Sequence, residues 1–259
     1  MCDVLEGYAP GYAHDAVAMM SARTAAERAT FAQPLFGPGM WVVDVGCGPG
    51  SITLGLAPES RVTGVDRDAG QVALARDAAR RAGKSKVDFV VGSAYALPVS
   101  TGSVDVAFSH ALIEHLAAPL EALAELRRIL RPGGSLALST SDWSRVRLRP
   151  KTANVDAALR GHYLLRRRGG GDPFAGKKIA DLCAAAGFAN IQSRARYRED
   201  MPYRDLAKYV EARLEAALAD PDLARDRDQL ASAARSAWMW ARSGDGDFTQ
   251  CWVELTATR

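Results

Sequence analysis

Short runs dense in β-branched and aliphatic residues alternate along this chain with longer segments in which apolar residues recur every three or four positions. The runs at 41–45, 61–66, 87–91, 104–109 and 135–140 carry apolar residues at neighbouring as well as alternate positions, as strands covered on both faces require. Between them the spacing predicts helices over 71–82, ending at Gly83, and over 120–130, ending before Pro132-Gly133-Gly134. Strand and helix in strict alternation predict an α/β fold with a doubly wound parallel sheet. Two stretches stand outside the alternation. The first 38 residues predict one helix, over 16–31, after a loop holding Tyr8, Tyr12 and His14; residues 143–176 interrupt the pattern after the fifth strand.

The first run breaks abruptly into Gly46-Cys47-Gly48-Pro49-Gly50. Glycines at alternate positions allow backbone angles that a side chain forbids, and let a ligand approach the main chain. The segment 51–57 is helix-compatible and predicts a helix whose amino terminus faces that ligand. A nicotinamide-dinucleotide site needs G-x-G-x-x-G and an acid about 20 residues on. Asp66 supplies the acid, but the third glycine comes one place early. The acid fits any adenosine ribose. Asp44, two places before the first glycine, would repel a pyrophosphate and suits a cofactor carrying an ammonium and a sulfonium.

The stretch from Asp44 to Gly50 resembles the first motif of the class I methyltransferases that use S-adenosylmethionine. The family's later landmarks follow in order: Gly64-Val65-Asp66, Leu97-Pro98, Val104-Asp105-Val106, Glu114-His115-Leu116 and Arg131-Pro132-Gly133-Gly134. The resemblance is nearest to the ubiquinone and menaquinone methyltransferase branch and to small-molecule methyltransferases of secondary metabolism. It implies a Rossmann-like seven-stranded sheet with further strands near 189–197 and 249–256, the last antiparallel. It also implies one domain: a helical cover (1–38), a cofactor core (39–142), a substrate lid (143–176) and the remaining sheet and helices (177–259). The site residues it implies for S-adenosylmethionine are Asp44, Gly46, Cys47, Gly48, Gly50, Asp66 on the ribose hydroxyls, Arg67 beside the adenine, Ser93, Ala94 and Ser109, with Tyr12 and Arg23 covering the cofactor. Ser93 stands where the family commonly has an Asp that accepts from the adenine amino group, and a serine accepts only a weaker, uncharged bond.

Moving a methyl group to oxygen or nitrogen, with carbon left open, releases a proton, and histidine is the side chain suited to receive it near neutral pH. His110 and His115 both follow the fourth strand. His115 is the first candidate, with Asp142 at the end of the neighbouring strand to orient it; the competing reading is a packing or capping histidine. The lid carries Arg145, Arg147, Arg149, Lys151, Arg160, Arg166, Arg167 and Arg168, followed by three glycines, which reads either as a substrate-selecting cover or as a solvated basic face on a flexible hinge. Composition changes little. Four scattered cysteines and four histidines give no disulfide framework or zinc spacing, and a net charge of +3 over 259 residues does not argue for nucleic acid. No segment has the pattern of a signal peptide or membrane span, so the expected location is cytoplasmic, with a small-molecule acceptor as partner. A ligand-binding protein on the same scaffold is the alternative.

Overall fold

The computed structural model describes residues 20–259. Strands β1 (Trp41–Val45), β2 (Arg61–Asp66), β3 (Val87–Val91), β4 (Val104–His110) and β5 (Leu130–Ser141) run parallel in the order β3-β2-β1-β4-β5; the first four lie where their apolar runs predict, while β5 begins at Leu130, ahead of the predicted 135, and takes in Pro132-Gly133-Gly134. β8 (Asp247–Thr258) follows antiparallel beside β5 and pairs in turn with β7 (Ala189–Arg198) and the short β6 (Arg147–Arg149). Among the described residues the sheet thus has eight strands where seven are expected, the extra one being the three residues of β6.

Alternation along the strands divides the core in two. Val43, Val45, Val65, Ala107, Leu136 and Leu138 pack beneath helices α3 (Pro119–Ile129) and α5 (Ile179–Ala185). Val42, Val62, Val106, Phe108 and Ala137 pack on the opposite face against Ile52, Leu56 and the short helix α1 (Ala25–Arg28). Helix α2 (Ala69–Arg81) starts at Asp68, whose side chain accepts from the Gln71 N–H at 2.8 Å and satisfies one of the unpaired amides of the first turn.

Three expectations change. The helix over 16–31 is interrupted, because the Glu27 carboxylate accepts from the Thr24 N–H (3.3 Å) and hydroxyl (3.1 Å) and so starts a new helix at Ala25. The segment 51–57 holds one tight turn at Thr53–Gly55, too short to present a helix terminus to a ligand. The segment 143–176, read as a lid, does not pack alone: α4 (Ala153–Arg168) packs with α6 (Tyr203–Leu218) and α7 (Arg227–Ala241) around Trp143, Val155, Leu159, Leu206, Leu214 and Trp240, an apolar core apart from the one beneath the sheet. Its glycine run is closely packed. A Cβ at Gly171 would lie 2.4 Å from the Glu114 carbonyl oxygen, so the run seats the lid on the loop after β4.

Candidate active site

The turn after β1 is built on three glycines with positive φ, 76° at Gly46, 52° at Gly48 and 80° at Gly50. Asp66, at the end of β2, holds this turn in shape. One carboxylate oxygen accepts from the Gly48 N–H at 2.8 Å and the other from the Asp68 N–H at 3.0 Å. Burial raises the Asp66 pKa against these two hydrogen bonds, which lower it. Above the turn lies a cavity of about 710 Å³ along the carboxyl ends of β1, β2 and β4.

Most of the predicted cofactor residues line this cavity: Gly46, Cys47, Gly48, Asp66, Arg67, Ser93, Ala94 and Arg23, together with His110 and His115. Cys47 is a packing group. Burial holds its thiol well above the ordinary range, and the nearby Asp44 and Asp66 add to that. Ser93 accepts from the Tyr95 N–H at 3.2 Å. Tyr12 and His14 fall outside the described residues.

Asp44, Gly50 and Ser109 do not line the cavity; they lie beneath it. Ser109 donates to the Val45 carbonyl at 2.8 Å and ties β4 to β1. Asp44 is buried and accepts from the Thr53 hydroxyl at 2.6 Å. Burial pushes its pKa up to about 7, with the Thr53 bond opposing and Asp66 adding to the rise. A carboxyl protonated more readily in the fold than in the unfolded chain stabilises at low pH, and that contribution is lost as pH rises from about 4 through about 7. Asp44→Asn keeps the acceptor for Thr53 and removes the buried charge. Its melting point should match the wild type at pH 4 and exceed it at pH 8, by the equivalent of up to about 4 kcal/mol; thermal melts across that range read the effect.

A second cavity, of about 360 Å³, adjoins the first and shares Met20, Arg23, Ala111 and His115 with it. Its walls are Trp143, Leu206, Tyr209, Phe248 and Trp252, with Arg28, Glu114 and Arg166. His110 stacks on Trp252 with ring centroids 4.7 Å apart. The imidazole is buried, and among the described residues neither ring nitrogen has a hydrogen-bond partner. Burial, then Arg23, Arg28 and Arg198, hold its pKa well below the ordinary value. His115 is likewise kept neutral, by burial first and then by the charges of Arg166, Arg23 and Arg67 and by His162.

The expected pairing of His115 with Asp142 is not formed. One oxygen of Asp142 accepts from the Ser144 N–H (2.9 Å) and hydroxyl (2.6 Å), and the other from Arg145 Nε (2.7 Å). It caps the turn at Trp143–Arg145 instead. The acid that does lie on this edge is Glu114, of the Glu114-His115-Leu116 landmark. Its carboxylate is buried and accepts from the Thr140 hydroxyl at 2.7 Å and the Ser141 N–H at 3.2 Å, locking the histidine loop to β5.

The lid cations divide just as sharply. Arg145 pairs with Asp142, Lys151 with Asp156 and Arg168 with Asp226, while Arg147 and Arg167 lie over the rings of Tyr197 and Phe174. Of the cations read in the lid, Arg166 alone lines either of the two cavities. No helix of the described residues is long and apolar enough to cross a membrane.

Residues 43–138 match the family described as the methyltransferase domain. With the strand order and the glycine turn, this places the core of the chain among the class I methyltransferases. At the level of particular proteins, the chain is 33% identical over 168 residues to ltbC of Aspergillus luteorubrus, named a probable methyltransferase, covering 60% of this chain and 58% of that one. It is 32% identical over 165 residues to an uncharacterised methyltransferase of Schizosaccharomyces pombe, covering 60% and 59%. The chain thus spans little more than half the length of these curated relatives. Among solved structures, the phosphoethanolamine N-methyltransferase 2 of Haemonchus contortus, in complex with phosphomonomethylethanolamine and S-adenosylhomocysteine, shares the fold with a TM-score of 0.61 at 15% identity, over 96% of this chain and 58% of that one.

Proposed function

We propose that this chain transfers a methyl group from S-adenosylmethionine to an oxygen or nitrogen of a small-molecule acceptor. The observation that carries this reading is the pair of cavities meeting at Ala111 and His115, one floored by the glycine turn and Asp66, the other walled by aromatic side chains. The residues present fit the cofactor. Asp66 offers carboxylate oxygens to a ribose diol, Ser93 and Ala94 border the space for an adenine, Arg67 stands at its rim, and Arg23 reaches the junction as a cation for the carboxylate of the methionine part. Bound there, the cofactor supplies an activated methyl on a sulfonium.

The protein's own part is alignment, exclusion of water and placement of a proton acceptor. The chamber's aromatic walls and the packed glycine seat of the lid keep the junction dry. His115, neutral in this setting, receives the acceptor's proton, and His110 presents an unpaired imidazole beside it. A chamber of about 360 Å³ suits a small acceptor, the class to which secondary metabolites belong, and lies at the small end of the roughly 300–1,000 Å³ of ligand pockets.

A second reading, a scaffold that holds the cofactor without transferring its methyl, draws on Ser93 in place of the family's common Asp. Calorimetric titration separates the possibilities. Micromolar binding of S-adenosylmethionine and S-adenosylhomocysteine without an NADH signal supports the methyltransferase reading, and the absence of both adenosyl signals would reject it. Turnover over an acceptor panel then distinguishes an enzyme from a scaffold.

A further inference from the structure

We infer that the acceptor is an aromatic anion, held by Arg166 at its charged end and by Trp143, Tyr209, Phe248 and Trp252 along its ring. This rests on the methyltransferase reading of the same site and adds the class of acceptor. Arg166 is 7% exposed and lines the smaller cavity, yet its Nε and Nη2 have no hydrogen-bond partner among the described residues. Among the described residues no carboxylate pairs with it. The acids on the chamber wall are otherwise engaged or exposed: Glu114 accepts from Thr140 and Ser141, Asp200 pairs with Arg28 at 2.7 Å and accepts from Trp252 Nε1, Glu27 accepts from Thr24, and Glu199 lies at the solvent side.

A buried guanidinium without an anion is costly, and such a group persists in a fold only where something compensates it. Its neighbours do not. Its guanidinium carbon lies 5.9 Å from the centre of the Trp143 ring, and His162 beside it is neutral, with burial and Arg166 itself pulling that imidazole down to about 3. Among the described residues no acid is left to supply the anion, and the cavity is where a bound one would sit. A planar carboxylate or a phosphate matches the two free donors of a guanidinium fork. The wall carries four aromatic side chains, Trp143, Tyr209, Phe248 and Trp252, among polar neighbours that include Gln250 and the paired Arg28, and these rings give a flat acceptor faces to pack against. With the charge at Arg166, the other end of a small ring points to Ala111 and His115, where the two cavities join.

The test uses the full chain saturated with S-adenosylhomocysteine and matched probes: 4-hydroxybenzoate and phenyl phosphate against 4-hydroxybenzamide. Calorimetry should show at least tenfold tighter binding of a charged probe than of the neutral amide, and the stronger of the two charged probes identifies the anion as carboxylate or phosphate. In Arg166→Met the preference should vanish while S-adenosylhomocysteine binds within twofold of wild type. The ligand-free variant should also melt higher than wild type, because an uncompensated buried charge has been removed. Arg166→Gln gives the same comparison if the Met variant does not fold. Equal affinity for charged and neutral probes, no binding of any of them, or a charge preference that survives both substitutions overturns the inference. Failure of S-adenosylhomocysteine to bind the wild type would instead sink the methyltransferase reading, and the probe comparison without it still reports on Arg166.

Discussion

Asp66→Ala should raise the dissociation constant for S-adenosylhomocysteine by roughly 30- to 100-fold, equivalent to about 2–3 kcal/mol. The carboxylate is placed for two tasks: it accepts from the Gly48 N–H, which shapes the turn, and it faces the cavity where a ribose diol would donate to it. Alanine removes both, while Asp66→Asn keeps one neutral acceptor and should fall between. The fold itself should tolerate the change. Burial raises the pKa of Asp66, so its ionised form already opposes folding as pH rises past about 4, and removing it relieves that cost. Calorimetry with a parallel thermal melt reads both parts. A variant that melts normally and binds within threefold of wild type would show that Asp66 does not hold the ribose.

What was legible in the sequence follows from how locally each feature is determined. The inner parallel strands declare themselves because strands buried on both faces must be apolar at successive positions; Trp41–Val45 and Arg61–Asp66 have the predicted limits, as does the partly exposed edge strand Val87–Val91. The glycine turn was legible because three positive φ angles in five residues leave few alternatives. The pairing of Asp142 with His115 was misread for a local reason. Asp142-Trp143-Ser144-Arg145 is an aspartate followed by a serine two places on and an arginine three places on, which together close a turn before a distant histidine can compete. A carboxylate inside the apolar stretch Ile113-Glu114-His115-Leu116 was a signal of a buried acid, but its partners Thr140 and Ser141 lie 26 and 27 residues on.

Arg166 was hidden by its neighbours. Read as part of Arg166-Arg167-Arg168 it is one charge in a basic run, whereas the helical period places Val155, Ala158, Leu159, His162 and Arg166 on one buried face and turns Arg168 out toward Asp226. The period separates them; the composition of the run does not. Helices α6 and α7, which complete the core around α4, come more than 30 residues after it in the chain, so that core depends on long-range packing that no window of sequence contains.

His115→Gln should lower kcat by a factor of about 10²–10⁴ while leaving S-adenosylhomocysteine affinity within twofold. Glutamine retains a side chain of similar reach but cannot take a proton, so only a role in proton acceptance predicts so large a loss with binding intact. The pH profile gives an independent sign. Burial and then the charge of Arg166 favour the neutral imidazole, so the folded pKa lies well below 6.5 and the active base form persists on the acid side of neutrality. The acid limb of kcat should therefore fall below pH 6.5, and removing the Arg166 charge should move it to higher pH. A His115→Gln variant retaining more than about a tenth of wild-type kcat would reduce His115 to a packing residue. The proton would then have to leave by another route, with His110, stacked on Trp252 with both nitrogens unpaired, as the next group to replace.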